Sequence, residues 1–150
     1  MLPHVKVEPD NLEKYLEDNK NEKSAQKKIV ISIFTAKDLV EPKNADDKFN
    51  KQEYYDQPNK YRSKFHKYLP FVSWLVHGIY WEPKYPRVLT KKDLKQAHET
   101  GKNRLMGVCD ISADYEGSIE FTSEFTSIEE PFLVWDCINQ EFKRKIADAD

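Results

Sequence analysis

Two aspartates and a serine are the residues of this chain best suited to bind a small polar ligand. They follow a short apolar run at residues 105–108, which predicts a buried strand. The three residues are Asp110, Ser112 and Asp114. In open α/β sheets, ligands bind outside the carboxyl ends of the strands, where carboxylates accept hydrogen bonds from ribose hydroxyls. Carboxylates that cap an ordinary turn have the same spacing, so spacing alone does not decide between a ligand site and a turn.

A second group of polar and aromatic residues ends the strand predicted over residues 72–79. Gly78 allows a backbone or a ligand to approach closely, and Tyr80 and Trp81 offer flat apolar surfaces with a polar group. The two aromatic residues can equally cover the edge of a sheet. His77 beside them is more simply explained as a hydrogen-bonded strand residue than as a catalytic base.

Metal binding and phosphate binding are not expected from the sequence. The residues that could ligate a metal lack the short spacing of zinc sites; they are His4, His66, His77, His98, Cys109 and Cys137. We expect Cys109 to be a buried, inert thiol. None of the four glycines lies in the GxGxxG spacing that a phosphate-binding turn requires, so we expect no pyrophosphate site.

The composition predicts one soluble domain of 150 residues. Hydrophobic residues make up 39% of the chain and charged residues 33%, as is typical of globular proteins. The net charge of −2, with both signs interspersed, argues against a nucleic-acid or anionic membrane surface. Two cysteines are too few for a disulfide framework, and the longest apolar run, at residues 71–76, is too short to span a bilayer.

The alternation of strand and helix patterns favours an α/β fold with a mostly parallel sheet. Strands are predicted at residues 4–7, 29–35, 72–79, 105–111, 118–122 and 132–136. One helix is expected after Asp10, with Glu13 completing a capping box, and another between Thr90 and Gly101. The polar stretch at residues 37–67 predicts a loop followed by short helical pieces at residues 52–55 and 61–68.

Five sequence blocks are similar to the lysine-ketoglutarate reductase part of the bifunctional α-aminoadipic semialdehyde synthases, enzymes of lysine breakdown. In order, they read LPHVKVEP, YYDQPNKYRSKFHKYLP, LVHGIYWEPKYPRVLTKKDL, CDISADYEGSIEF and TSIEEPF. They cover most of residues 54–136, and the runs IYWE, PRVLT and CDISAD are too specific for coincidence. The pattern more distantly resembles the cofactor-binding domains of alanine dehydrogenase and nicotinamide nucleotide transhydrogenase.

The resemblance implies that residues 1–150 are the later part of a Rossmann-like, nicotinamide-cofactor-binding domain that lacks its glycine-rich phosphate turn. Family members condense lysine with 2-oxoglutarate and reduce the imine with NADPH or NADH to give saccharopine, with NADP favoured. The same resemblance implies a mitochondrial matrix location in an animal and a cytoplasmic one otherwise. The sequence carries no signal for the oligomeric state.

The resemblance also implies which residues contact the cofactor. They belong to the two strand ends and are His77, Gly78, Ile79, Tyr80, Cys109, Asp110, Ile111, Ser112 and Asp114. The acid–base lysine and histidine of the family lie in an amino-terminal domain that the chain lacks, so no catalytic residue is expected here.

The missing phosphate turn leaves a second hypothesis open. The chain is expected to be a fragment or a truncated gene product, and the isolated 150 residues should neither bind a nicotinamide cofactor tightly nor form saccharopine. A truncated, non-enzymatic remnant or interaction module with the same fold is therefore the alternative to a piece of an active oxidoreductase.

Overall fold

The computed structural model describes residues 3–22 and 28–143 of the chain. In chain order, its strands and helices are β1 (His4–Lys6), α1 (Leu12–Asn19), β2 (Ile29–Ile31), α2 (Ala36–Leu39), β3 (Val40–Pro42), α3 (Lys51–Asp56), β4 (Tyr61–Ser63), β5 (Trp74–His77), α4 (Lys91–Glu99), β6 (Gly107–Asp110), β7 (Val134–Asp136) and β8 (Glu141–Lys143). Single 3₁₀ turns occur at Pro9–Asn11, Pro58–Lys60 and Phe65–Tyr68.

The strands of the described residues form four separate pairs. The pairs β1–β2 and β5–β6 are parallel, whereas β3–β4 and β7–β8 are antiparallel. The mixed α/β class predicted from the sequence is therefore confirmed. The two parallel pairs are not joined into one sheet within these residues, so the Rossmann-like arrangement is not confirmed.

The strand predicted at residues 29–35 is shorter and more exposed than expected. It ends at Ile31, and Ile29 and Ile33 are each about half exposed. Thr35 instead begins α2, where its backbone N–H and its hydroxyl both donate to Asp38 Oδ2, at 2.8 and 2.7 Å. The β-branched run was expected to be buried because parallel strands are usually covered on both faces, but the described residues do not cover this one.

The polar stretch after residue 37 contains more regular structure than its composition indicates. The helical piece at residues 52–55 is confirmed as α3, but the piece expected at residues 61–68 is β4 followed by a 3₁₀ turn. The strand β4 forms because Ser63 pairs with Val40, more than twenty residues away. Local periodicity carries no information about such a pairing, which explains the wrong prediction.

Two smaller predictions also differ from the structure. The helix expected after Asp10 is present as α1, but a 3₁₀ turn precedes it and the residue before it, Asn11, makes no side-chain cap. The strand expected at residues 118–122 is reduced to one bridge between Leu89 and Ile119, since the chain turns on both sides of that contact.

The hydrophobic core lies between β3, β4, α4 and the segment around residue 119. Its fully buried members are at most 2% exposed; they are Tyr61, Phe65, Leu69, Leu89 and Ile119. Leu94 of α4 and Val40 of β3 pack against the same cluster. The core thereby holds α4 in place. Because α4 connects β5 to β6, the core also supports the pairing of these two parallel strands.

The helix α4 confirms its predicted start and end. Thr90 Oγ1 accepts from the backbone N–H of Asp93 at 3.1 Å, and the Thr90 N–H donates to Asp93 Oδ2 at 3.2 Å, which is a complete capping box. Gly101 follows the helix with a φ of +65°, a conformation that glycine adopts without strain.

Replacing Thr90 by alanine is expected to lower the free energy of unfolding by about 1 kcal/mol, because the backbone N–H of Asp93 loses its capping partner. Urea denaturation followed by circular dichroism measures the change. Thr126→Ala is the matched control, since Thr126 is exposed and lies outside any helix. Equal denaturation midpoints for the two variants would contradict this role of the capping box.

Candidate functional site

The ends of β5 and β6 lie side by side. The strands run parallel in a register that places His77 opposite Asp110, and the Ile111 N–H donates to the His77 carbonyl at 2.7 Å. Because parallel neighbours end at the same edge of a sheet, residues 78–80 and 111–114 leave the pair on the same side. The structure thus brings together the two strand ends that the sequence analysis singled out.

The carboxylate of Asp110 receives three side-chain hydrogen bonds. His77 Nδ1 lies 2.9 Å from Oδ1, Ser112 Oγ donates to the same oxygen at 2.7 Å, and Thr122 Oγ1 donates to Oδ2 at 2.7 Å. The side chains of His77 and Asp110 are only 3% and 9% exposed. Since an ionised carboxylate only accepts hydrogen bonds, we assign the proton of the imidazole to Nδ1.

These contacts decide the charge of Asp110. Burial acts to raise the pKa of the carboxyl group, but the hydrogen bonds from Ser112, His77 and Thr122 together outweigh burial and lower the pKa below its ordinary value. The group is therefore ionised at neutral pH, at the edge where a ligand would meet the strands.

The lowered pKa predicts how stability depends on pH. Ionised Asp110 stabilises the folded chain fully above the ordinary pKa of 3.8, and this contribution is lost as the pH falls below that value. Asp110→Asn removes the titrating group. We therefore expect the gap in unfolding free energy between the unsubstituted chain and the variant to be largest near pH 7 and to narrow below pH 4, as measured by urea denaturation. A gap that widens on acidification would contradict the assignment.

The second ring nitrogen of His77 has no partner among the residues that the structure describes. Nε2 is buried and makes no hydrogen bond there. With the proton on Nδ1, Nε2 is an acceptor. A buried polar atom without a partner costs about 1–3 kcal/mol, so this nitrogen marks a place where a donor would stabilise the fold.

The other predicted residues of the first strand end lie at its open edge. Ile79 is 42% exposed and Tyr80 is 80% exposed. A Cβ added at Gly78 would meet the Ile111 side chain at an ordinary contact distance of 3.8 Å, so a methyl group would fit there in contact with Ile111. Ile111 itself is exposed on the same edge.

Two predicted residues lie apart from the Asp110 cluster. Asp114 belongs to the following turn, where its carbonyl accepts from the Gly117 N–H at 3.0 Å. Cys109 is exposed, which corrects the prediction of a buried thiol. The reason is the alternation of side chains along a strand, which turns Cys109 to the face opposite Asp110. That face also carries Trp74 and Val76, each about two-thirds exposed.

The turn after β6 contains backbone conformations that are unfavourable for its residues. Ala113 and Glu116 have positive φ values of 51° and 45°. Such conformations in residues other than glycine cost free energy and occur preferentially at functional sites and switches. They allow the chain to return within twelve residues, so that Thr122 reaches Asp110. The sequence analysis missed Thr122, since no spacing rule connects it with Asp110.

A cavity of about 360 Å³ opens beside the end of β5. Ile79 and Tyr80 line it together with aromatic side chains from other parts of the chain, including Tyr54. Burial, followed by the neighbouring hydroxyls of Tyr85 and Tyr55, raises the pKa of Tyr54 to about 12, so its hydroxyl keeps its proton.

Metal-ligating clusters and membrane-spanning helices are both absent from the described residues. In this part of the chain, His, Cys, Asp and Glu side chains do not gather in groups of three or more that could hold a metal ion. The helices described here are too short or too polar to cross a membrane.

Comparison with known proteins finds relatives that match most of the chain. No protein-family model matches the chain. The α-aminoadipic semialdehyde synthase of Arabidopsis thaliana is 36% identical over 149 residues, covering 95% of this chain and 14% of the relative. The mitochondrial enzyme of Bos taurus is 37% identical over 108 residues, covering 63% of this chain and 12% of the relative. The chain is homologous to a segment of the α-aminoadipic semialdehyde synthases.

This homology confirms the resemblance seen in the sequence. The mitochondrial synthase of Mus musculus is 35% identical over 112 residues, again 12% of its length. The chain therefore spans about one-seventh or less of the synthases it matches. These relatives are nicotinamide-dependent oxidoreductases of lysine degradation, and the mammalian ones are named as mitochondrial.

Proposed function

We propose that the chain forms part of a lysine-ketoglutarate reductase, which condenses lysine with 2-oxoglutarate and reduces the imine to saccharopine. In this proposal, residues 1–150 belong to a Rossmann-like cofactor-binding domain and supply the nicotinamide side of the cofactor site. The observation that carries the proposal is the ionised, hydrogen-bonded Asp110 carboxylate at the shared end of two parallel strands.

Asp110 has one acceptor position left for a ligand. Oδ1 already receives two hydrogen bonds and Oδ2 receives one, so the remaining lone pair of Oδ2 is available to a ribose hydroxyl. Ser112 donates its proton to Asp110 and keeps oxygen lone pairs that can accept from a hydroxyl or an amide. These features fit a nicotinamide ribose, whereas the chain offers no glycine-rich turn for the pyrophosphate.

The other residues of the proposed site act by shape and orientation. Gly78 lies beside the Ile111 side chain without a side chain of its own, and Ile79 and Tyr80 offer apolar surface next to it. Cys109 and Ile111 contribute backbone next to Asp110, since the thiol of Cys109 lies on the opposite face. Asp114 lies in the turn after Ser112, where its carbonyl accepts from the Gly117 N–H. When bound, the nicotinamide supplies the hydride that reduces the imine.

We further propose NADP as the favoured cofactor, with NAD as the alternative, on the basis of the family resemblance. Lysine, 2-oxoglutarate and saccharopine are the proposed small-molecule partners of the complete enzyme. We propose a mitochondrial matrix location if the source is an animal, which the mitochondrial synthases of Bos taurus and Mus musculus support, and a cytoplasmic one otherwise.

A non-enzymatic remnant is the second candidate function. Two observations favour it: the chain lacks GxGxxG, and the outer face of β5–β6 leaves the side chains of Trp74 and Val76 exposed. Apolar side chains at such a face are typical of surfaces that contact other polypeptides.

A chimeric enzyme tests the choice between the two functions. The segment of the Arabidopsis thaliana synthase that aligns with this chain over 149 residues is replaced by the present sequence, and lysine-dependent oxidation of NADPH is measured. We expect the chimera to form saccharopine, and we expect Asp110→Ala in the same chimera to raise the KM for NADPH.

The decisive control is cofactor binding by the chimera. A chimera that is folded but is not stabilised against heat by NADPH, and that forms no saccharopine, would favour the remnant. A chimera in which Asp110→Ala leaves the KM for NADPH unchanged would contradict the proposed cofactor site.

A further inference from the structure

Aromatic side chains form much of the wall of the cavity beside β5. The rings of Tyr54 and Tyr85 lie with centroids 5.3 Å apart and are tilted by 47°, and the rings of Tyr55 and Tyr85 lie 6.4 Å apart and are perpendicular. The three rings thus contact one another as an aromatic panel that offers both ring faces and ring edges. Trp81 contributes a further indole surface to the lining. Aromatic side chains that already contact one another lose little conformational freedom when a planar ring stacks on them.

The charge of the lining restricts which ligands fit. The lining contains no aspartate or glutamate, and its one charged side chain is Arg87. The guanidinium of Arg87 lies over the Trp81 ring at 5.6 Å and donates through Nη1 to Glu120 at 2.8 Å. Arg87 is thus already paired with a carboxylate, and the rest of the lining is mostly apolar and aromatic. Such a lining suits an uncharged ring.

The position of the cavity connects it with the strand ends. Ile79 and Tyr80 line it, and both directly follow the strand that ends at His77. The lining therefore begins two residues beyond His77, which pairs with Asp110 at the strand ends where the proposed function places the cofactor. At about 360 Å³, the cavity is within the size range of small-molecule sites and larger than one planar ring requires.

We propose that this cavity binds an uncharged planar ring of the nicotinamide nucleotide, stacked against the aromatic panel. The proposal rests on the proposed function. It adds a second contact region, of which only Ile79 and Tyr80 were predicted from the sequence. The adenine ring and the reduced nicotinamide ring are both uncharged, whereas the oxidised nicotinamide ring is a cation.

Fluorine NMR of the chain labelled with 5-fluorotryptophan tests this inference. The chain has three tryptophans, and of these only Trp81 lines the cavity, so Trp74 and Trp135 serve as internal controls. We expect AMP or reduced nicotinamide mononucleotide to shift the Trp81 resonance alone. A shift with AMP identifies the adenine ring as the ligand of the cavity, and a shift with reduced nicotinamide mononucleotide identifies the nicotinamide ring.

A pair of matched variants isolates the aromatic panel. Tyr55→Ala removes a wall of the cavity, and Tyr115→Ala removes an exposed ring that lies outside the lining. Both residues are substantially exposed, so neither substitution should prevent folding. We expect the Tyr55 variant to lose the ligand-induced shift of Trp81 and the Tyr115 variant to keep it.

The outcomes separate this inference from the function on which it rests. If NADPH shifts the amide signals of Asp110 and Ser112 while Trp81 stays unmoved, the ring-binding cavity is overturned and the proposed function stands. If AMP shifts Trp81 while NADPH leaves the amides of Asp110 and Ser112 unmoved, the cavity binds a ring and the proposed function is overturned. Equal shifts of all three tryptophans would also overturn the inference.

Discussion

Replacing Asp110 by alanine is expected to lower the free energy of unfolding by about 3 kcal/mol and to remove nicotinamide-nucleotide binding. The substitution leaves three donors without their acceptor: His77 Nδ1, Ser112 Oγ and Thr122 Oγ1. The two hydroxyls can rotate towards other acceptors, but His77 is 4% exposed and its Nε2 already has no partner among the described residues. A buried group that loses its partner costs about 1–3 kcal/mol, and the lost charge-assisted hydrogen bonds add to this.

Urea denaturation of the variant, followed by circular dichroism, measures the effect on stability. Glu129→Ala is the control, because Glu129 is an exposed carboxylate in a loop, where a substitution changes stability by no more than about 0.5 kcal/mol. Asp110→Asn keeps the shape but lacks the charge, so it should be less destabilising than the alanine variant. An alanine variant as stable as the Glu129 control would show that the cluster does not hold the strand ends.

Replacing Phe65 by alanine is expected to lower the free energy of unfolding by about 3–5 kcal/mol. Phe65 is fully buried, and its ring packs edge-on against Phe34 with centroids 5.5 Å apart. It lies at the centre of the core that supports α4. Since folded domains of this size are stable by about 5–15 kcal/mol, the variant should be close to unfolding at room temperature.

Phe132→Ala is the matched control for this prediction, because Phe132 is 65% exposed and loses little contact when truncated. Thermal unfolding of both variants, with near-ultraviolet circular dichroism as the signal, compares them under the same conditions. A Phe65 variant that melts at the same temperature as the Phe132 variant would contradict the position of the core.

The elements that were predicted correctly carry local signals. Thr90 and Asp93 stand three residues apart and Gly101 follows the last turn, and these residue types alone define α4. The apolar runs that end at His77 and Asp110 likewise predicted β5 and β6, although both strands are shorter than expected. The proximity of Ser112 to Asp110 follows from their spacing.

The features that were missed depend on contacts between distant residues. The strand β4 exists because it pairs with β3, and Thr122 joins Asp110 only through the turn that begins at Ala113. The cavity beside β5 is assembled from Phe34, Tyr54 and Trp81, which are far apart in the sequence. Periodicity and spacing within one segment contain no information about such combinations.

The exposure of apolar strand residues has a different cause. The sequence predicted buried strands at residues 29–35 and 105–111, because parallel strands are normally covered on both faces. In the structure, Ile29, Val76 and Met106 are exposed, since no described element covers them. The chain spans only 14% or less of the synthases that it matches.

Titration of the ¹⁵N-labelled chain with NADPH, followed by amide NMR, tests the central claim most directly. The account predicts saturable shifts at residues 78–80 and 110–112. It also predicts weak binding, with a Kd on the order of 1 mM, because the chain has no glycine-rich phosphate turn. Amide signals at these two strand ends that stay unmoved at about 10 mM NADPH, while the rest of the spectrum shows a folded chain, would contradict the cofactor site at Asp110.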